Sequence, residues 1–250
     1  MEQTTELGAN KTGIDMSPID SKKMIEGSEK YTDDLMSGTE ETVNSFEQFY
    51  LENADPLGSV PMPGTMKGMM KSTVKMMTGH HPQVFINKLG ERLAYERSGV
   101  RIYEKLIIKC KYASMNGMSE MKIPIDRLTE FRNQELEHFE LLNDCVKQLG
   151  ADPTAQTPDA DASGVAASGL MKVIMDQRTS VSQSLQAMLA IELADNAAWE
   201  LLIKLADDMG LTDMAEKFER ALAQENLHLE QVREWYEESV RSQGKAKLVS

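Results

Sequence analysis

Two Glu-x-x-His motifs are the residues of this 250-residue chain whose types and spacing most directly predict chemistry. Glu135 and His138 form one motif, and Glu225 and His228 form the other. Because side chains three residues apart share one face of a helix, each motif presents a carboxylate and an imidazole together. That face is otherwise apolar, and burying such groups without a partner is costly, whereas coordinating a metal ion compensates them. The two motifs therefore predict a metal site inside a helical core.

The apolar periodicity predicts an all-α chain with four long helices and no strands. The first spans about 84–116, the second about 124–150, and the third ends at Gly210 after beginning at Val181 or as early as Ser168. Asp213 and Glu216 resemble a capping box that begins the fourth helix, which continues to about residue 239. Residues 151–165, rich in Pro, Asp and Ala, are expected to form a long connection between the second and third helices.

The first and third helices each contain a glutamate that interrupts an apolar stripe, Glu96 and Glu192. Glu192 precedes Glu225 by 33 residues and Glu96 precedes Glu135 by 39, and a longer turn accounts for most of the difference. The chain thus resembles two helical hairpins of one design, each with a glutamate on its first helix and Glu-x-x-His on its second. The competing carboxylates on these helices are Glu91, Glu104 and Glu200.

This arrangement resembles the ferritin-like superfamily, which includes ferritins, bacterioferritins, rubrerythrins and manganese catalases, over residues 84–240. The segment Ala94-Tyr95-Glu96, with Tyr103 seven residues later, is similar to rubrerythrins in particular, although two cysteines are too few for their four-cysteine rubredoxin module. Rubrerythrins often have a further carboxylate three residues after the third-helix ligand, and here that position is Asp195. The resemblance implies a ferritin-like four-helix bundle with two bound metal ions, held by Glu96, Glu135, His138, Glu192, Glu225 and His228.

In that resemblance Glu135 and Glu225 bridge the ions, Glu96 and Glu192 are outer ligands, and each histidine anchors one ion. Four carboxylates balance two divalent cations, and oxygen ligands with two imidazoles suit iron, or alternatively manganese. The implied function is iron oxidation by dioxygen or hydrogen peroxide, of ferroxidase or peroxidase type, in a homo-oligomer. Manganese catalase-like chemistry is the less favoured redox alternative. A metal-binding stress or storage protein with little turnover, or an interaction scaffold, are the alternative functions.

Residues 1–80 match no pattern of the helical region and are expected to form an acidic, partly disordered extension. Residues 1–55 contain thirteen acidic residues and four lysines, a net charge of −9, with a short helix near 37–52. Residues 65–78 predict a basic, Met-rich helix that packs on the bundle or contacts a membrane surface, a partner or copper. The expected domains are therefore 1–80, 81–241 and a C-terminal tail, 242–250.

The overall composition limits the classes of partner and location. The net charge of −13 argues against a nucleic-acid-binding surface. The N-terminus lacks a basic start followed by an apolar run, and no apolar stretch is long enough to span a bilayer. The two cysteines fit a reducing compartment, so we expect a cytoplasmic location.

Overall fold

The computed structural model describes residues 18–32, 40–61, 82–117 and 122–244, and all regular secondary structure within these ranges is helical. This confirms the all-α class. The helices are α1 (Pro18–Thr32), α2 (Glu40–Asn53), α3 (Pro82–Met115), α4 (Ile125–Gln148), α5 (Pro158–Met175), α6 (Val181–Asp208) and α7 (Thr212–Gly244). None of the described helices combines the length and apolar character that a bilayer span requires.

The chain divides into two compact units at the boundary between Pro56 and Leu57. In the N-terminal unit, α2 corresponds to the helix expected near 37–52, whereas α1 was not predicted. The predicted Met-rich helix at 65–78 and the tail at 245–250 lie outside the described residues. The domain boundaries proposed at residues 80 and 241 therefore stay predictions.

The second unit is built from two helical hairpins. α3 packs mainly on α4 and α6 mainly on α7, while α5 packs on both α3 and α6. Gly150 and Gly210, at φ +79° and +65°, follow the ends of α4 and α6, as expected for glycine after a helix. Ser180 and Gln183 form a reciprocal capping box at the start of α6, which fixes that start near Val181 rather than near Ser168.

The expected connection at 151–165 is wrong in one respect, because helix α5 begins within it at Pro158. Proline at the first position of a helix loses no hydrogen bond there, and Asp159 and Asp161 lie in the first turn, where acidic side chains are favourable. The prolines and aspartates that indicated a loop are thus part of a helix start. Residues 176–180 then separate α5 from α6.

Two apolar clusters fill the interior of the second unit. One includes Tyr103, Leu106, Phe131, Leu185 and Trp235, and the other includes Phe85, Leu89, Leu142, Trp199 and Phe218. Full burial of one such side chain contributes about 1.5–3 kcal/mol, so the two clusters anchor all four long helices. Along α3, α4, α6 and α7 the buried Glu, Asp, Asn and His residues come between members of the two clusters. The fold therefore contains a polar layer between two apolar ones.

Candidate metal centre

The polar layer contains all six residues that the sequence predicted as ligands. Each has no more than 2% of its surface exposed, and four helices contribute them: Glu96 from α3, Glu135 and His138 from α4, Glu192 from α6, and Glu225 and His228 from α7. The three competing glutamates lie elsewhere. Glu91 is half-buried and bonded to Lys88 at 2.8 Å, Glu104 is exposed and faces Arg132 at 3.5 Å, and Glu200 is exposed.

The six side chains form two overlapping groups of candidate ligand atoms, each within 4.8 Å of one another. The first group is Glu135, Glu192, Glu225 and His228, and the second is Glu96, His138 and Glu225. Transition-metal ligands lie about 2.0–2.3 Å from the ion, so donors around one ion are separated by no more than roughly twice that distance. Each group therefore has the spread of a single coordination sphere, and Glu225 is common to both.

Both imidazoles direct Nδ1 toward the carboxylates. His138 Nδ1 lies 2.7 Å from Glu225 Oε1 and 3.7 Å from Glu96 Oε2. His228 Nδ1 lies 3.1 Å from Glu225 Oε2 and 3.4 Å from Glu135 Oε1. Glu225 thus presents one oxygen to each histidine.

Two buried carboxylate oxygens of this group, Glu96 Oε2 and Glu192 Oε2, have no hydrogen-bond partner among the described residues. Buried polar atoms are nearly always satisfied, and leaving one without a partner costs about 1–3 kcal/mol. These two oxygens come from α3 and α6 and lie in one cluster with the other carboxyl groups and the two imidazoles. The residues present therefore fit metal ions, which would give both oxygens a partner.

Burial and mutual repulsion shift the pKa values of these groups. Burial, with Glu225 as the next cause, raises the pKa of Glu135 and of Glu192 well above the usual range. Burial also disfavours the charged forms of Glu225 and His138, but the attraction between these two groups outweighs the effect of burial. His228 adds to this attraction at Glu225, and Glu96 adds to it at His138. The pKa of Glu225 is therefore lowered and that of His138 is raised to about 11. Without cations, the surroundings thus favour the protonated forms of Glu135 and Glu192 and the charged forms of Glu225 and His138.

Arg92 is a buried cation in the same layer that the sequence reasoning missed. Its Nη2 lies 2.6 Å from Asp195 Oδ1 and 3.1 Å from Glu96 Oε1, and its guanidinium stacks 4.3 Å from the centre of the Tyr95 ring. Burial alone would lower the pKa of Arg92, but Asp195 and Glu96 raise it, so the guanidinium stays charged. Burial raises the pKa of Asp195 against the opposing attraction of Arg92. The 2.6 Å contact pairs these two groups and leaves the four glutamates as candidate ligands for two divalent cations. The signal in the sequence is spacing, since Arg92 precedes Glu96 by one helical turn and Asp195 follows Glu192 by three residues.

Asp195, the residue at which rubrerythrin-like proteins suggested a further ligand, is 1% exposed. It lies close enough to Glu96, Glu135 and Glu225 to complete a third group of candidate ligand atoms. Its Oδ1 is nevertheless within 2.6 Å of Arg92 Nη2, a strong charge-assisted contact. The geometry thus gives Asp195 a partner from the protein itself.

Two further features shape the space around the carboxylates. Tyr103 donates a hydrogen bond from its hydroxyl to Glu192 Oε1 at 2.5 Å, and burial, with Glu192 as the next cause, raises the pKa of Tyr103. Gly99 lies on α3 against Glu135, and a methyl group at position 99 would overlap Glu135 Oε2. Glycine at this position therefore leaves the room that the carboxylate occupies.

Outside the carboxylates, each histidine is bonded to a glutamine on the opposite helix. His138 Nε2 lies 2.8 Å from Gln224 Oε1, and His228 Nε2 lies 2.7 Å from Gln134 Oε1. The sequence reasoning missed both glutamines. The signal was available, because each motif is in fact Gln-Glu-x-x-His, at 134–138 and 224–228.

The chain belongs to a protein family described as Domain of unknown function (DUF892), whose family model matches residues 81–244. No curated protein and no solved structure matches the chain. The matched range covers α3 to α7 and every residue of the polar layer.

Proposed function

We propose that α3, α4, α6 and α7 form a ferritin-like four-helix bundle that binds two metal ions in the polar layer. The observation that supports this best is the convergence of four glutamates and two histidines, each histidine with Nδ1 toward Glu225. The duplication of the hairpin design supports it too. Residues 131–140 and 221–230 have the same succession of buried, half-buried and exposed positions, so α4 and α7 present equivalent faces.

We assign iron as the expected metal, with manganese as the alternative. The donors are carboxylate oxygens and imidazole nitrogens, which suit these metals, whereas calcium and magnesium rarely take imidazole. Four glutamates match two divalent cations in charge once Arg92 and Asp195 are paired. In this assignment Glu135 and Glu225 would be shared by the two ions, Glu96 and Glu192 would be the outer ligands, and each histidine would anchor one ion.

The activity that we propose is iron oxidation by dioxygen or hydrogen peroxide. Bound iron supplies the change between the ferrous and ferric states. The protein residues have other tasks: the apolar clusters on both sides exclude water, Tyr103 orients the Glu192 carboxylate, and Arg92 fixes Glu96. Tyr103 also lies where a tyrosine could donate an electron to the site. Homo-oligomeric assembly and a cytoplasmic location stay predictions.

The test is metal analysis of the full chain produced in iron-containing medium. We expect two ions per chain in the wild type, and a loss of one or both in Glu135→Ala and His228→Ala. The matched control is Glu137→Ala, which removes an exposed carboxylate on the same helix and should leave the metal content unchanged. Two ions per chain in both site variants would contradict the assignment.

A second measurement separates redox activity from storage. Ferrous iron added to the protein in the presence of dioxygen or peroxide should be oxidised with repeated turnover. If oxidation stops after one equivalent of bound iron per site, the protein is a metal-binding store rather than an oxidase.

A further inference from the structure

The two glutamine–histidine contacts between α4 and α7 form a reciprocal pair. Gln134 and His138 of α4 face His228 and Gln224 of α7, so each helix contributes one glutamine and one histidine. On each helix the glutamine precedes the histidine by four residues, and the glutamine of one helix meets the histidine of the other. The same relationship is thus built twice, once for each histidine.

Each contact defines which nitrogen of a neutral, metal-binding imidazole has a free lone pair. A glutamine oxygen accepts, so Nε2 of the neutral imidazole carries the proton and Nδ1 is left as the acceptor. Nδ1 is the nitrogen that lies near the carboxylates in both rings, at 2.7 Å and 3.1 Å from Glu225. A partner at the outer nitrogen of a metal-binding histidine also fixes the ring orientation and increases its basicity.

The contacts join α4 and α7, whose backbones come close to each other at few places. Among the helix pairs in contact, α4 and α7 have the fewest close backbone approaches, so side chains span the gap between them. Both glutamines are half-buried, and Gln134 lines an open surface pocket together with Asn133 and Glu137. The glutamines are therefore the outermost layer between the imidazoles and solvent on this side.

Resting on the proposed function, we propose that Gln134 and Gln224 are positioning residues that select the metal-binding tautomer of the histidine on the opposite helix. Gln134 acts on the ion at His228, and Gln224 acts on the ion at His138. A substitution of Gln134 on α4 therefore weakens binding of the ion anchored by His228 on α7. A substitution of Gln224 on α7 likewise weakens binding of the ion anchored by His138 on α4. Glutamine provides the acceptor without adding a fifth negative charge to the four glutamates.

The test is a Co(II) titration of the metal-free full-length chain, followed by absorption. His138→Ala and His228→Ala assign each of the two binding steps to one histidine. Gln134→Leu should then weaken the His228 step by about 10–100-fold and leave the His138 step nearly unchanged, and Gln224→Leu should do the opposite. Gln134→Glu, which keeps an acceptor oxygen, should restore binding. Asn133→Leu, at the exposed neighbouring position, is the control and should bind as the wild type does.

A second measurement uses the diamagnetic Zn(II)-loaded chain. The Nε2 proton of His228 should exchange with solvent faster in Gln134→Leu than in the wild type, while that of His138 stays unchanged. Circular dichroism shows whether each leucine variant is folded. If one of them is not, the metal titration of the other tests the inference, because the two glutamine–histidine contacts are equivalent.

Unchanged titrations in the leucine variants would overturn the inference. Equal weakening of both steps with no recovery in Gln134→Glu would also overturn it, since that result indicates general structural damage. A wild type that binds no Co(II) would instead contradict the proposed function itself.

Discussion

Arg92 Nη2 and Asp195 Oδ1 lie 2.6 Å apart in the interior, and both side chains are no more than 2% exposed. The pair joins α3 to α6 beside the glutamates, and Arg92 also contacts Glu96 at 3.1 Å. A buried ion pair is not by itself a source of stability, but removing one partner leaves the other charge uncompensated. Loss of Arg92 would therefore destabilise the metal-free protein, and the contact makes Asp195 a partner of Arg92 rather than a metal ligand.

Arg92→Leu should destabilise the metal-free protein by about 3–5 kcal/mol, because Asp195 would remain buried without its cation. The measurement is the free energy of unfolding in urea. Arg178→Leu is the matched control, since Arg178 forms a similarly short 2.7 Å pair with Asp176 but is 90% exposed on its side chain. Removing that surface pair should cost no more than about 1 kcal/mol. Equal losses in both variants would contradict the role given to Arg92.

Asp195→Asn should retain two metal ions per chain. Asp195 is held by Arg92, so its replacement removes a counter-ion and not a ligand in this account. Metal analysis of the variant beside Glu192→Gln gives the comparison, because Glu192 is a proposed ligand one turn earlier on the same helix. Loss of one ion in Asp195→Asn would make Asp195 a ligand after all.

Gly99→Ala should weaken metal binding and destabilise the protein by about 1–3 kcal/mol, because the added methyl group would displace the Glu135 carboxylate. The control is Gly164→Ala on α5, where an added methyl group meets nothing within 4 Å. That substitution should stabilise the helix by up to about 1 kcal/mol, since alanine has the higher helix propensity. Thermal unfolding with and without metal measures both effects. An equal increase in unfolding temperature in the two variants would contradict the packing described for Gly99.

The two cysteines should be unreactive in the native protein. Both are free and buried, one in each apolar cluster. Burial raises the pKa of Cys110 to about 12 and that of Cys145 to about 11. Because the thiolate is the reactive form, alkylation at pH 8 should be very slow until denaturant is added, and then involve two thiols per chain. Rapid labelling of either cysteine in the folded protein would contradict their burial.

The sequence predicted the helices and the ligand candidates because both depend on local spacing. Amphipathic periodicity placed the long helices within a few residues of α3, α4, α6 and α7 apart from the end of α7. Three-residue spacing placed Glu135 with His138 and Glu225 with His228, and the repeated hairpin pointed to Glu96 and Glu192 over their competitors. Their convergence in the structure agrees with that reasoning, and metal coordination stays a prediction.

The residues that escaped prediction depend on contacts between helices. Arginine and glutamine are usually surface residues, so their spacing from the ligand candidates does not by itself reveal that Arg92 meets Asp195 or that Gln134 meets His228. The need for glycine at position 99 arises from Glu135 on the neighbouring helix. Helix α5 was missed because proline and aspartate favour both loops and helix starts.

The most direct test of the central claim is anomalous X-ray diffraction, at the iron and manganese absorption edges, from crystals of the full chain produced with both metals. The account predicts two anomalous peaks inside the polar layer, one beside Nδ1 of His138 and one beside Nδ1 of His228, with Glu225 between them. The absence of peaks there, while the six side chains occupy the positions described, would contradict the claim that this layer binds metal.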